Sequence, residues 1–203
     1  MSQRQDEPAS LTVRNIAIQR GARMVIRDFS MEARVGDIVW LRGSNGSGKT
    51  SLLRAIAGLL PVAVGTVERT GKLAMTDDAI ALDYDQSLDD ALRYWAKLDG
   101  ASGAELEAAM TSLDLVPLAE LPVRMLSAGQ KRRGSLARTI ASGAAIWLLD
   151  EPYNGLDQAN LTRLDAAIER HAASQGIVII ASHVAPSVNV ANSVMLDRTR
   201  KAA

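Results

Sequence analysis

The sequence of 203 residues predicts an α/β fold around a mainly parallel sheet, on three observations. Uninterrupted apolar stretches ("DIVWLRG", "AAIWLLD", "GIVIIASH") alternate with helical patterns, as strands buried on both faces of a parallel sheet do. A glycine-rich run, "GSNGSGKT", leads from one of those strands straight into a helix. Between the first strands and the last two lies a block, Leu88 to about Ser142, with helical texture throughout.

Taken in order, "LTVRNIAI" and "VIRDFSMEARV" alternate loosely and read as strands, followed by the compact strand "DIVWLRG". The helix "KTSLLRAIAGLL" comes next, with Pro61 as its stop. "GTVER" and "KLAM" return to strand. The helical block comprises "LDDALRYWAKL", "GAELEAAMTSLDL" and "GQKRRGSLARTIA". The last third reads strand, helix, strand: "AAIWLLD", "LTRLDAAIERHAAS", "GIVIIASH". The polar ends, 1–10 and 197–203, read as frayed tails.

Composition narrows the function. Lys plus Arg and Asp plus Glu balance at 23 each, so net charge favours neither nucleic acid nor a membrane surface. With no cysteine, disulfides and thiolate metal sites are excluded. Two histidines, His171 and His183, are too few for a multi-histidine metal centre. No apolar run approaches the roughly 18 residues that span a bilayer, and "MSQRQDEPAS" lacks the apolar stretch of a secretion signal.

"GSNGSGKT", residues 43–50, fits G-x-x-x-x-G-K-[ST] between a strand and a helix, the context in which that pattern binds phosphate. Glycines let the backbone wrap closely, so that N–H groups from Gly43, Ser44, Asn45, Gly46, Ser47, Gly48 and on to Ser51 converge on an anion. Lys49 reaches the terminal phosphates, and the Thr50 hydroxyl ligates Mg²⁺. "AAIWLLDEP" ends in two carboxylates. Asp150 is placed to hold Mg²⁺ through water, and Glu151 to polarise a water for attack on the γ-phosphate. His183 closes the next strand. Parallel strands deliver their C-terminal ends to one crevice, so His183, Glu151 and the phosphate loop share that edge. His171 reads as a surface residue in mid-helix.

"MLSAGQKRRGSLAR", 125–138, poses a separate question. Small residues open a helix whose first turns carry Lys131, Arg132 and Arg133, although helix N-termini favour acidic side chains. Such a start expects an anion from elsewhere. The three cations cannot all face it, and part of the run reads as a solvated basic face.

These motifs together resemble the nucleotide-binding subunit of ATP-binding cassette (ABC) transporters. "GSNGSGKT" is similar to the family's Walker A and "IWLLDE" to its Walker B. "LSAGQ" (Leu126, Ser127, Ala128, Gly129, Gln130) resembles its LSGGQ signature, "GLD" (Gly155, Leu156, Asp157) its D-loop, and His183 its switch histidine. The resemblance runs from about Leu11 to Leu196. It implies a P-loop NTPase of the ABC type, with an N-terminal antiparallel β subdomain and an inserted helical subdomain. The nucleotide-binding core would be 11–86 and 143–196, and the helical subdomain 87–142. Glu151 and His183 would be catalytic, ATP the substrate and Mg²⁺ its cofactor. Two copies would pack head to tail, each signature meeting the γ-phosphate on its partner, and an integral membrane permease would complete the complex. That γ-phosphate answers the anion question.

The short chain, the Leu-Pro upstream of "SAGQ", its basic follow-on and "LRYWAKL" further resemble the haem-exporter ATPase of the cytochrome c maturation system. This implies a peripheral subunit on the cytoplasmic face of a bacterial inner membrane. Direct haem binding is not expected, since there is no cysteine and no haem-ligation motif, and no nucleic acid partner is expected either. The alternative is the ATPase of another small transporter. A soluble cassette protein of DNA repair or translation usually fuses two cassettes, which are not seen here. The sequence departs from the family twice. The aromatic that stacks on adenine falls at Arg20, whose guanidinium can also stack on a purine. The glutamine that follows the strand after "GTVERTGK" is replaced by Thr76, Asp77 or Asp78, with Gln86 too far along the chain.

Overall fold

A computed structural model of the chain describes residues 7–77 and 82–196. Asp78, most of the N-terminal tail and the tail 197–203 lie outside the described residues. β1 (Ser10–Arg20) takes in the last residue assigned above to that tail and pairs antiparallel with β2 (Arg23–Arg34). The turn between them is made by Gly21, at φ 59°, where the absence of a Cβ lets the chain reverse. β4 (Val64–Thr70) pairs antiparallel with the other edge of β1, giving a three-stranded sheet in the order β2-β1-β4.

The second sheet is parallel throughout. Its order is β5-β6-β7-β3-β8, from β3 (Ile38–Arg42), β5 (Leu73–Thr76), β6 (Ile146–Asp150), β7 (Ile177–Ala181) and β8 (Asn192–Met195). Every residue of β6 and β7 is buried, and their side chains alternate between two cores. Ile146, Leu148, Ile177 and Ile179 join Leu52, Leu53 and Ile56 of α1 (Lys49–Ile56) and the inner face of β1 and β2. Trp147, Leu149, Val178 and Ile180 face the opposite core. That core is shared with α2 (Leu88–Asp99), α3 (Gly103–Ser112), α4 (Ala128–Ala141) and α5 (Gln158–Ala173). Full burial of each such aliphatic side chain contributes about 1.5–3 kcal/mol, which is why these strands tolerate no polar alternation.

Several boundaries differ from the sequence reading. α1 ends at Ile56 rather than at Pro61 because Gly58 adopts φ 78°. There the Arg54 carbonyl accepts from both Leu59 and Leu60 N–H, a glycine-type helix stop. α3 stops at Ser112, and Asp114 then turns at φ 54°. α5 begins earlier than "LTRLDAAIERHAAS", since Asp157 caps it by accepting from the Asn160 N–H at 2.9 Å. β8, short and largely exposed with only Val194 half-buried, carries too weak an apolar signal to be read as a strand from the sequence.

His171 is not a surface residue. Its ring stacks on Trp147 of β6, with centroids 3.8 Å apart and planes 5° from parallel. A Cβ added to Gly176 would fall 2.2 Å from His171 Nε2, so the chain after α5 closes over the ring. Burial there holds the imidazole pKa below its ordinary value, partly offset by the Ala145 carbonyl, 3.3 Å from Nε2.

Candidate active site

The C-terminal ends of β3, β6 and β7 meet at one edge of the parallel sheet, and a cleft of about 390 Å³ opens there. It is lined on one side by Asn45, Gly46, Gly48, Lys49, Thr50 and Ser51, and on the other by Glu151, Asn154 and His183. The loop 43–48 is shaped by glycine. Gly43, Gly46 and Gly48 have φ of 155°, 79° and 107°. A Cβ on Gly43 would lie 2.6 Å from the Leu196 carbonyl, and one on Gly48 would lie 2.9 Å from Val25 Cγ1. Neither backbone path is open to a larger residue. Ser44 is exposed, while Ser47 is buried with a hydroxyl that has no hydrogen-bond partner.

Lys49 is 5% exposed. Its Nζ donates to the Gly43 carbonyl at 2.8 Å and lies 3.2 Å from Glu151 Oε1. The other carboxylate oxygen, Oε2, is 2.7 Å from His183 Nδ1 and accepts from the His183 backbone N–H at 3.3 Å. Lys49, Glu151 and His183 thus form one contiguous chain of polar groups, as the shared sheet edge requires. Thr50 Oγ1 donates to Asp150 Oδ2 at 2.6 Å, which brings together a hydroxyl and a carboxylate from residues 100 apart in sequence. Glu151 sits at φ 45°, a left-handed conformation that a glutamate adopts only when its surroundings impose it.

The signature lies apart from this cleft: none of Leu126, Ser127, Ala128, Gly129 and Gln130 lines it. Ser127 caps α4, its hydroxyl accepting from the Gln130 N–H while Gln130 Oε1 accepts from the Ser127 N–H at 2.8 Å. This reciprocal capping box has the sequence signature S-x-x-Q. Gly129 touches the other family loop, because a Cβ there would fall 2.4 Å from the Gly155 carbonyl. Ala128, which stands for the family's first glycine, is exposed. Leu126 is buried, Leu156 half-buried, and Asp157 exposed at the start of α5.

The solvated basic face expected in α4 is corrected. Arg132 and Arg133 are 7% and 8% exposed and turn inward. Arg133 Nη1 donates to the Leu113 and Asp114 carbonyls at 2.7 and 2.8 Å, closing the frayed end of α3. Lys131 lies with its Nζ 4.8 Å from the centroid of the Tyr84 ring. Arg20 is exposed at the end of β1 and does not line the cleft. Arg23, its cross-strand partner, does, together with Val25. The turn signal "RGAR" was available to place Arg23 opposite Arg20. Thr76 is buried and its hydroxyl pairs with that of Thr139, whereas Asp77 is reached by Arg54 Nη2 at 3.0 Å.

A strand, a glycine-rich anion loop opening a helix, and a carboxylate with a histidine across the cleft define a P-loop nucleotide hydrolase. The family profile "ABC transporter" matches residues 26–154, well over half the chain, so the chain belongs to the ABC transporter family and is an ATP-binding, ATP-hydrolysing protein of that family. Among curated proteins it is 48% identical, over 178 residues, to the "Cytochrome c biogenesis ATP-binding export protein CcmA" of Sphingopyxis alaskensis, covering 88% of this chain and 92% of that one. It is also 48% identical over 177 residues to the protein of the same name from Novosphingobium aromaticivorans, covering 87% and 90%. A solved ABC transporter ATP-binding protein from Pyrococcus furiosus superposes with TM-score 0.81 at 27% identity, covering 92% of this chain and 97% of that one.

Proposed function

We propose that this chain is the ATP-hydrolysing subunit of an export complex in cytochrome c biogenesis, with haem as the cargo of the complex rather than a ligand of this chain. The relatives named for cytochrome c biogenesis export, at 48% identity over most of both chains, support that reading. Among the described residues no helix is long and apolar enough to cross a membrane, so the complex would need an integral permease to carry the cargo. The chain would sit peripherally on the cytoplasmic face of the bacterial inner membrane. A division into a nucleotide-binding core (11–86 and 143–196) and a helical subdomain (87–142) is supported by the mutual packing of α2, α3 and α4.

Within the site, the loop N–H groups, with the α1 N-terminus, would bind the ATP phosphates. Lys49 would exchange its contacts to Gly43 and Glu151 for the β- and γ-phosphates. Glu151 would accept a proton from the attacking water, and His183, already 2.7 Å from Glu151, would fix that water and the γ-phosphate. The Thr50–Asp150 pair supplies hard oxygen donors of the kind Mg²⁺ takes, and the open cleft beside it, lined by Gly46, Gly48 and Lys49, has room for phosphate. When bound, Mg²⁺ would neutralise charge building up on the phosphate oxygens. Arg23 and Val25 stand on the cleft wall, and Arg20, exposed across the turn from Arg23, would flank the base only from outside that wall. Ser127, Gly129 and the start of α4 would complete the site of a second copy, and Gly155–Asp157 would lie at that seam.

The Lys49–Glu151–His183 chain carries the proposal. Glu151→Gln removes the proton acceptor but retains the shape of the side chain. With ATP and Mg²⁺ this variant should bind nucleotide, hydrolyse at least about a hundredfold more slowly, and elute as a dimer in size-exclusion chromatography. Hydrolysis at the parental rate would remove Glu151 from the chemistry, and a monomer under saturating ATP would remove the head-to-tail pairing.

A further inference from the structure

Arg132 is buried between the signature helix and the catalytic carboxylates. From α4 its Nη2 donates to the Asp150 carbonyl, and its Nη1 donates to the Asp77 carbonyl at 2.7 Å. The Asp150 carbonyl belongs to the peptide that joins Asp150 to Glu151. The N–H of that same peptide, on Glu151, donates to the Ala181 carbonyl of β7 at 2.7 Å. A peptide is planar, so a donor on its oxygen and an acceptor on its nitrogen together fix the orientation of the plane. Glu151 leaves that plane at φ 45°, which is strained for a glutamate and is kept only by such outside constraints.

The other end of the guanidinium reaches the exit of β5, where the family's glutamine would stand. Asp77 is also held by Arg54 of α1, whose Nη2 lies 3.0 Å from Asp77 Oδ2. Asp77 therefore joins the phosphate-loop helix to Arg132, and Arg132 joins both to the Glu151 peptide. A guanidinium is a rigid fork that holds its two acceptors at a set separation, which the single nitrogen of a lysine cannot do.

We infer that Arg132 is a positioning residue for hydrolysis: it sets the direction of the Glu151 carboxylate through the Asp150–Glu151 peptide and ties that direction to the β5 exit. The inference rests on the reading of Glu151 as the proton acceptor.

The test uses the transport complex purified through a tag on this chain, with ATP hydrolysis measured under steady-state and single-turnover conditions. Arg132→Met should lower kcat about thirtyfold or more and leave the KM for ATP within about threefold, because the phosphate loop is untouched. Arg132→Lys, which restores one contact of the two and keeps the buried charge, should recover part of the loss in kcat. In a Glu151→Gln background, adding Arg132→Met should slow single-turnover hydrolysis no further, since the group that Arg132 directs is gone. An unchanged kcat in both variants would overturn the inference. So would a parallel collapse of kcat and nucleotide affinity, or a further large loss in the Glu151→Gln background, each of which marks a general structural role. If Arg132→Met does not fold, the Arg132→Lys pair decides alone. The underlying reading fails separately, when Glu151→Gln by itself hydrolyses at the parental rate.

Discussion

Gly129→Ala sets two effects of opposite sign against each other. In a helix, alanine is favoured over glycine by about 0.5–1 kcal/mol, so propensity alone predicts a stabilised protein. Position 129, however, lies in the first turn of α4, and a Cβ there would stand 2.4 Å from the Gly155 carbonyl oxygen. That atom is backbone and has no rotamer by which to retreat, so either α4 or the 154–156 loop must move. Overpacking of this kind costs about 1–3 kcal/mol, and contact with a fixed atom puts the cost in the upper part of that range. The clash wins by about 1–2 kcal/mol. For a domain of this size that lowers Tm by roughly 2–8 °C. Thermal unfolding followed by circular dichroism measures it, with Ala128→Gly as the control. Ala128 is exposed, so restoring the family's glycine there should also lower Tm, but only by the propensity difference of about 0.5–1 kcal/mol. In the proposed head-to-tail pairing the seam with a second copy would lie at this contact, so Gly129→Ala should also reduce ATP hydrolysis more than ATP binding by the single chain. A Gly129→Ala protein that melts at or above the parent would refute the close approach of the two loops.

Lys49→Ala removes a buried ammonium from the phosphate loop and should weaken ATP binding by at least about a hundredfold, read by titration calorimetry; undiminished affinity would reassign the loop. His171 concerns pH. Burial depresses its folded pKa, so its contribution to stability is present above the unfolded value near 6.5 and is lost as pH falls through and below it. His171→Phe preserves the stack on Trp147 without a titrating group, so between about pH 7.5 and 5.5 its Tm should fall less than the parent's. Parallel Tm curves would show that the ring is not held neutral. Beside the cleft, if Arg20 flanks the base, Arg20→Ala should weaken ATP and GTP alike, by about tenfold or less, and Arg20→Tyr should bind at least as well as the parent. If Arg23→Ala takes the whole loss and Arg20→Ala none, the base rests against Arg23.

What the sequence determined by itself is what depends on neighbours along the chain. The loop 43–50 needs glycine where a Cβ would strike Leu196 or Val25, and it announces itself because the glycines, Lys49 and Thr50 are consecutive. β6 and β7 were legible because burial on both faces leaves uninterrupted apolar runs that end in Asp150–Glu151 and Ser182–His183. The meeting of Glu151 with His183 followed from parallel strands ending at one edge. Tertiary structure alone decided the rest. Arg132 and Arg133 read as solvated cations because the carbonyls they reach belong to residues between 18 and 55 positions away, and no local pattern marks a carbonyl as needing a donor. His171 read as a surface residue because its partner, Trp147, comes from another element. β8 pairs with β3 but turns only Val194 of its four residues toward the core, so its composition carries little strand signal. The division has one physical cause. Propensity, capping and burial pattern are written into adjacent residues, whereas a long polar side chain ends its path at whichever unsatisfied backbone group the packing of other elements brings within reach.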